Sequence, residues 1–239
     1  MFNKIVIVIF ATLLFAVPPC YARSLGKLKD GYGYVVIAVK SSSPVIGIPP
    51  GNSPNYLMGY GLRIIKFDPV SKIAFPGAGF FITPDEAALF EIRDPTNGNR
   101  YWIGQMKEAD VAIVMFHQRS VWGMCFNNET RHFHVKADEF NLIGGFDPLP
   151  SLLAMQIAAH EGKIPTSANS QIKLPPIINE KLLGFSVATD TPNLKTELDS
   201  FLTQYLNKPT TSIAVETKIT DYNLGLHKRG YPDCVTQNK

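Results

Sequence analysis

The chain is 239 residues long and carries 23 basic and 20 acidic side chains, a formal net charge of +3. Such near-neutrality excludes the dense positive field that nucleic-acid backbones require. Hydrophobic residues reach 45% and charged ones only 18%, which excludes a disordered chain and calls for a packed core.

Residues 1–22 have the three parts of a secretory signal peptide. Lys4 is the single charge ahead of an apolar run, residues 5–17, broken only by Thr12. Pro18 and Pro19 then end any helix, because proline lacks the N–H and clashes with the preceding turn. The run is shorter than the roughly 20 residues that cross a bilayer, so no permanent membrane span is expected after signal cleavage. Cys20-Tyr21-Ala22 offers small residues where signal peptidase reads them, and the mature chain is expected to begin at Arg23. Lipidation of Cys20 is the alternative, but Val17-Pro18-Pro19 lacks the small, flexible pair that lipoprotein processing wants. Cleavage removes Lys4 and no other charge, leaving 22 basic and 20 acidic residues. The expected location is the periplasm or cell envelope of a bacterium, or the medium as a secreted protein.

Cys125 and Cys234 survive cleavage. An even count in an oxidising compartment predicts a disulfide between them; the alternative is a buried thiol plus a second one near the tail.

Along the mature chain the first half reads as strands. Residues 31–40 are β-branched and aromatic with no charge until Lys40, a buried strand. Residues 41–55, rich in Ser, Pro and Gly, form a loop. Residues 56–67 resume strand character, and 73–82, with Pro76, Gly77 and Gly79, form an irregular or bulged edge. Residues 87–93 and 100–106 flank Asn97-Gly98, a strong hairpin signal. Residues 111–117 and 121–126 add two more strands, and Asn127-Asn128-Glu129-Thr130 reads as a turn. Strands at this spacing predict an antiparallel β-sandwich.

Farther on, residues 149–160 are apolar and alanine-containing, with Gly162 in a capping position, and predict a helix. A loop at 161–176 and a strand at 183–188 follow. Thr191 then suits an N-cap and Pro192 a first helical turn. Leu194, Leu198, Phe201, Leu202, Tyr205 and Leu206 make one apolar stripe, ended by Asn207 and Pro209. Residues 211–219 read as a last β-branched strand and 221–239 as a polar tail. The whole is expected to be mainly β, an antiparallel β-sandwich with two packed helices. Residues 23–148 would form its core, and 149–239 an α+β appendage (helical insertion, amphipathic helix, final strand and tail) on the same domain.

Chemistry-bearing motifs are sparse. His132 and His134 share one strand face, and His117 on a nearby strand would complete a metal site. Phe133 and Val135 alternate with the pair, however, and look like the core-facing set. This leaves His132, His134 and Lys136 as a solvated face that holds no metal. No Gly-x-Ser-x-Gly elbow occurs, and His160-Glu161 lacks the second histidine of a zinc-protease helix. Phe75-Pro76-Gly77-Ala78-Gly79 has no following lysine to cradle phosphate. Tyr32, Tyr34, Tyr56 and Tyr60 could form an aromatic platform, though at strand spacing core packing is the commoner use. No catalytic residue and no cofactor are expected.

The segment from His132 to Phe146, with Phe133-His-Val-Lys-Ala-Asp-Glu-Phe-Asn-Leu-Ile-Gly-Gly145, resembles a strand pair of exported bacterial β-sandwich proteins of unknown function. Those proteins are similar to transthyretin-like and carboxypeptidase regulatory-like sandwiches. Their early Gly-Tyr-hydrophobic strand resembles residues 31–39, and their late Asp-led helix resembles 190–206. Asp138 stands where their turn glycine would be, no Pro-x-Gly-x-Tyr precedes the pair, and 149–176 looks like an insertion. The resemblance implies a fold and a compartment, and no activity. The function expected is an exported, non-catalytic envelope or secreted module that binds a protein or surface component. The alternatives are a hydrolase with an unrecognised active site and a histidine-based metal-binding protein.

Overall fold

The structure is a computed structural model that describes residues 25–40, 60–74, 86–94, 96–118, 122–162 and 177–224. Two sheets face each other. The first runs β11 (Phe185–Val187), β9 (Phe140–Phe146), β1 (Tyr32–Val39), β6 (Arg100–Lys107) and β5 (Phe90–Arg93), with β12 (Ser212–Ala214) also on β9. The second runs β10 (Ile177–Lys181), β8 (Trp122–Val135), β7 (Ala109–Gln118), β2 (Tyr60–Asp68), β3 (Ile73–Ala74) and β14 (Asn223–Leu224). There β13 (Lys218–Thr220) also pairs with β8, and β4 (Glu86–Ala88) with β2. The described residues therefore form a mainly β sandwich with two helices, α1 (Leu149–His160) and α2 (Pro192–Leu206). The pairs β1–β9, β8–β10, β9–β12 and β3–β14 run parallel within it; the others are antiparallel.

Alternation along the strands explains the layers. Successive side chains point to opposite faces, so each strand serves two cores. Val35, Ile37 and Trp102 from the first sheet meet Ile64, Phe116, Phe126 and Phe133 from the second in the inter-sheet core. Trp102, Phe116 and Phe146 form its aromatic centre, with centroids 5.4–6.1 Å apart. α1 closes this core with Leu152, Met155 and Ala158. The outer face of the first sheet, with Tyr34, Val36, Tyr101 and Ile103, is covered by Leu198, Phe201 and Leu202 of α2. The outer face of the second sheet holds Ile65, Phe67, Ala112, Val114 and Cys125 beneath Tyr222.

Several expected elements are built differently. Residues 127–130 do not turn: they lie inside β8, where residues 126–131 bulge against 113–114 of β7. Thr130, fully buried, donates its hydroxyl to the Ile113 carbonyl across the bulge, so this polar side chain is satisfied inside a strand. Residues 87–93 are two strands rather than one: β4 belongs to the second sheet and β5 to the first, with the change at Leu89. Residues 211–219 divide in the same way, β12 joining β9 and β13 joining β8. The start of the polar tail is also built in, since Tyr222 is buried and donates its hydroxyl to the Val114 carbonyl at 2.7 Å. Strand β10 lies between the expected loop and the next expected strand, and pairs with β8.

The Asn97-Gly98 hairpin joins β5 to β6, with Gly98 at φ 75° and its N–H on the Asp94 carbonyl. α2 ends as the sequence suggests, at Asn207 with φ 51°. Its start differs: Thr191 sits at the N-cap, but its hydroxyl donates to the Val187 carbonyl rather than accepting from a helix N–H. Residues 1–24, with the signal peptide and Cys20, lie outside the described residues, as do 41–59, 75–85, 163–176 and 225–239 with Cys234.

Asp199 anchors α2 to the strand that follows it. One oxygen accepts from both the N–H and the hydroxyl of Ser212 at 2.6 Å, and the other pairs with Lys195 one turn back. Burial raises the Asp199 pKa, but the hydrogen bonds from Lys195 and Ser212 outweigh it and hold the carboxyl below the usual range. A depressed folded-state pKa gives stability that is present above the unfolded pKa and lost as pH falls through the folded one. Asp199→Asn is expected to cost about 1–3 kcal/mol at neutral pH. Urea melts at decreasing pH should show that gap closing once the pH drops below the ordinary aspartate range. A gap independent of pH would contradict this account.

Candidate functional site

Each sequence-predicted site residue has a definite environment. His134 is half-exposed, with Nδ1 3.1 Å from Asp110 Oδ1 and Nε2 3.7 Å from Glu108 Oε1. His132 is not on a solvated face. Its ring packs on Phe67 at 5.3 Å, and Nδ1 is buried without a hydrogen bond among the described residues. Burial depresses its pKa; Asp110 opposes this and Lys218 adds to it. The cause is non-local: Lys218 of β13 pairs with His132, so a strand from late in the chain lies beside what the sequence presents as a solvated face. Phe133 and Val135 face the core as their alternation predicts. His117 pairs through its backbone with Gly61 and Gly123, and its side chain lies outside the described residues. Among the described residues no cluster of three or more His, Cys, Asp or Glu could hold a metal ion. Tyr34 is buried, stacked on Phe140 at 4.6 Å, with its hydroxyl donated to the Gly26 carbonyl. It packs the outer face rather than offering a platform.

A concave site lies elsewhere, on the outer face of the first sheet beside the start of α2, with a volume of about 370 Å³. Its floor is a row of residues in register across four strands: Tyr101 opposite Ala38, Ala38 opposite Gly145, and Gly145 opposite Ser186. Three of the four are small, which is why the sheet dips here. A Cβ on Gly145 would come within 2.8 Å of Ser186 Oγ. Residues two positions along each strand share the face, so Asn99, Lys40 and Asp147 rim the floor. Leu194 and Glu197 of α2 form one wall and Phe185 another.

The polar groups of the cleft divide into engaged and open ones. Asp147 is engaged at both oxygens, by Lys40 Nζ at 3.2 Å and by the Leu149 N–H at the start of α1. Glu197 Oε2 accepts from Asn99 Nδ2 at 3.1 Å. Ser186 donates weakly to the Gly145 carbonyl at 3.4 Å. Tyr101 is the buried member. It is 1% exposed and stacked on Phe201 at 4.9 Å, with its hydroxyl buried beside the Asn99 amide. Burial pushes the phenol up to about 12; the adjacent Asn99 amide opposes this, and Glu197 and Asp94 add to it. It therefore stays a protonated donor across the physiological range. Among the described residues no histidine or cysteine lines the cleft. The arrangement can bind and orient a small polar molecule.

Sequence reading singled out none of these residues. They come from five separate elements and the turns beside them, and only the strand register brings them together. No family model matches the chain, and no curated protein or solved structure is significantly similar to it.

Proposed function

We propose that the chain is an exported, non-catalytic envelope or secreted β-sandwich module, and that it binds a surface component or partner group in the cleft over the first sheet. The observation that carries the reading is the cleft itself, a floor of small residues in register across the first sheet, walled by Leu194 and Glu197 and rimmed by Asn99, Lys40 and Asp147. The cleft's size falls in the range of small-molecule sites, roughly 300–1,000 Å³, and it combines an apolar floor with few convergent polar groups. Among the described residues that line it no histidine stands beside the exposed hydroxyl of Ser186, which favours binding over hydrolysis. Export is supported by the apolar run and processing site at residues 1–22, and by the likeness of residues 133–145 to exported sandwiches. In that compartment Cys125 and Cys234 are proposed to pair.

A thermal-shift screen of residues 23–239 against sugars, amino acids, short peptides and carboxylates tests the reading. A ligand at a hundred times its Kd stabilises the fold by about 2.7 kcal/mol, or several degrees. Ser186 is exposed, so Ser186→Phe fills the cleft without disturbing the core. The expected result is a stabilising compound, recovered chemically unchanged, whose effect disappears in Ser186→Phe. Silence across the panel, a shift that survives Ser186→Phe, or turnover of a compound overturns the reading.

A further inference from the structure

We infer that β13 is an acid-sensitive clasp: a proton taken up by His132 of β8 loosens the pairing of Lys218–Thr220 against it, while the segment that follows stays docked.

Little holds β13. It is three residues long and pairs with β8 through Lys218 opposite His132, Ile219 opposite Arg131 and Thr220 opposite Thr130. Ile219 is 62% exposed, so the strand gains little from apolar burial. The residues after it are fixed by other means. Lys72 Nζ lies 2.6 Å from Asp221 Oδ1, the Tyr222 hydroxyl donates to the Val114 carbonyl, and the Asn223 N–H donates to the Lys72 carbonyl where β14 pairs with β3. β13 is therefore free to open without its neighbours, as weakly held elements do.

His132 sits at the seam. Its ring packs on Phe67 of β2, and its buried Nδ1 has no hydrogen-bond partner among the described residues. A neutral ring leaves Nδ1 as a bare acceptor, whereas an imidazolium donates from both nitrogens and would bury a charged N–H there without an acceptor. Lys218 of β13 stands directly opposite with a second positive charge. Asp110 of β7 draws the proton toward His132, but His134 Nδ1 already holds that carboxylate at 3.1 Å, and Glu108 lies beyond at His134 Nε2. Ala112, the β7 residue paired with His132, and Phe67 bring no charge. Burial holds the His132 pKa below the ordinary imidazole value; Asp110 opposes this and Lys218 adds to it. A base with a lowered folded-state pKa binds fewer protons folded than unfolded, so its contribution to stability is lost as pH falls through the ordinary histidine range. Opening β13 relieves the protonated state, since it moves Lys218 away and admits water to that side of the ring. It also bares the β8 backbone at residues 130–132, a strand edge open to pairing.

Hydrogen exchange of the mature chain, read amide by amide and corrected for intrinsic rates, tests the clasp. From about pH 7.5 to about pH 5, protection of the bonded amides in Lys218–Thr220 should fall about tenfold, with Asn223 and the β9 amides unchanged. The fall should vanish in His132→Phe, which keeps a ring against Phe67 and does not titrate, and should shrink in Lys218→Gln. In the wild-type chain, the His132 ring protons should titrate with a midpoint below that of a histidine in an unstructured peptide, a reading that needs no variant to fold. Protection independent of pH, a fall that persists in His132→Phe, a His132 midpoint at or above the ordinary value, or Asn223 opening together with β13 overturns the inference.

Discussion

Replacing Asn141 by alanine is expected to destabilise the protein by about 3–5 kcal/mol, at the top of the range for single substitutions. Asn141 is fully buried where the chain passes from β8 in one sheet to β9 in the other. Its Nδ2 lies 2.9–3.1 Å from the carbonyls of Tyr34, Lys136 and Glu139, and its Oδ1 accepts the Lys136 N–H at 3.0 Å. One side chain thus satisfies backbone groups on both sides of the crossing and on β1. Gly33 lets the strands come this close, since a Cβ there would lie 2.2 Å from the Lys136 carbonyl oxygen. Alanine would remove these bonds at once; the Glu139 carbonyl keeps the Tyr34 N–H, but the buried Tyr34 carbonyl and the Lys136 groups lose the amide, each bond worth about 1–3 kcal/mol where water cannot replace it. Asn141→Asp separates this from loss of volume. It keeps the shape but turns an oxygen toward three carbonyls, and is expected to be at least as harmful as alanine. Urea denaturation gives both values; a loss under 1 kcal/mol for either variant would show that the crossing does not depend on this amide.

The same crossing shows what the sequence could and could not reveal. Alternation of Phe133 and Val135 with the histidines correctly marks the core face of β8, because period-two burial is a local property. Asn141 carries no such mark: a single asparagine in an apolar run means nothing until the partners, more than a hundred residues away at Tyr34, are known. Local signals elsewhere behave likewise. The Asn97-Gly98 turn, the α2 stripe and the Asn207 stop are readable because each depends on a few adjacent residues. By contrast, Asn127–Thr130 has turn composition but is held in β8 by Ile113 and flanked by β10 and β13, non-local contacts that override propensity.

The cleft was illegible for a related reason. Tyr101 reads as one aromatic among several in a strand, and Ala38, Gly145 and Ser186 are individually unremarked small residues. Their meaning comes from register, Tyr101 opposite Ala38 opposite Gly145 opposite Ser186, and from the packing of α2 across that row. A one-residue slip in any pairing would turn part of the floor to the other face. His132 illustrates the reverse error. Its strand parity is that of a solvated face, yet the tail returns to cover it, which no pattern within residues 132–136 announces.

That returning tail is also the basis of the remaining prediction, that Cys234→Ala lowers stability by roughly 4–5 kcal/mol in oxidised protein. Cys125 lies on β8, fully buried on the outer face of the second sheet, in one cluster with Tyr222. Tyr222 is fixed there by its bond to Val114, and β14 then pairs beside β3 on the same sheet. The chain therefore leaves Leu224 on the side to which Cys125 belongs. The ten steps from Leu224 to Cys234 can span up to about 33–36 Å, at about 3.3–3.6 Å per residue. A bridge from 125 to 234 closes a loop of about 110 residues, for which the chain-entropy model gives roughly 4–5 kcal/mol, less any strain in the native state. For a chain of this size that is on the order of 10–20 °C in melting temperature. Peptide mapping of unreduced exported protein should show Cys125 and Cys234 in one linked fragment, and adding reductant should lower the melting temperature of wild type but not of Cys234→Ala. Two freely alkylated thiols in that unreduced protein, or equal melting with and without reductant, would leave the tail held by Tyr222 and β14 alone.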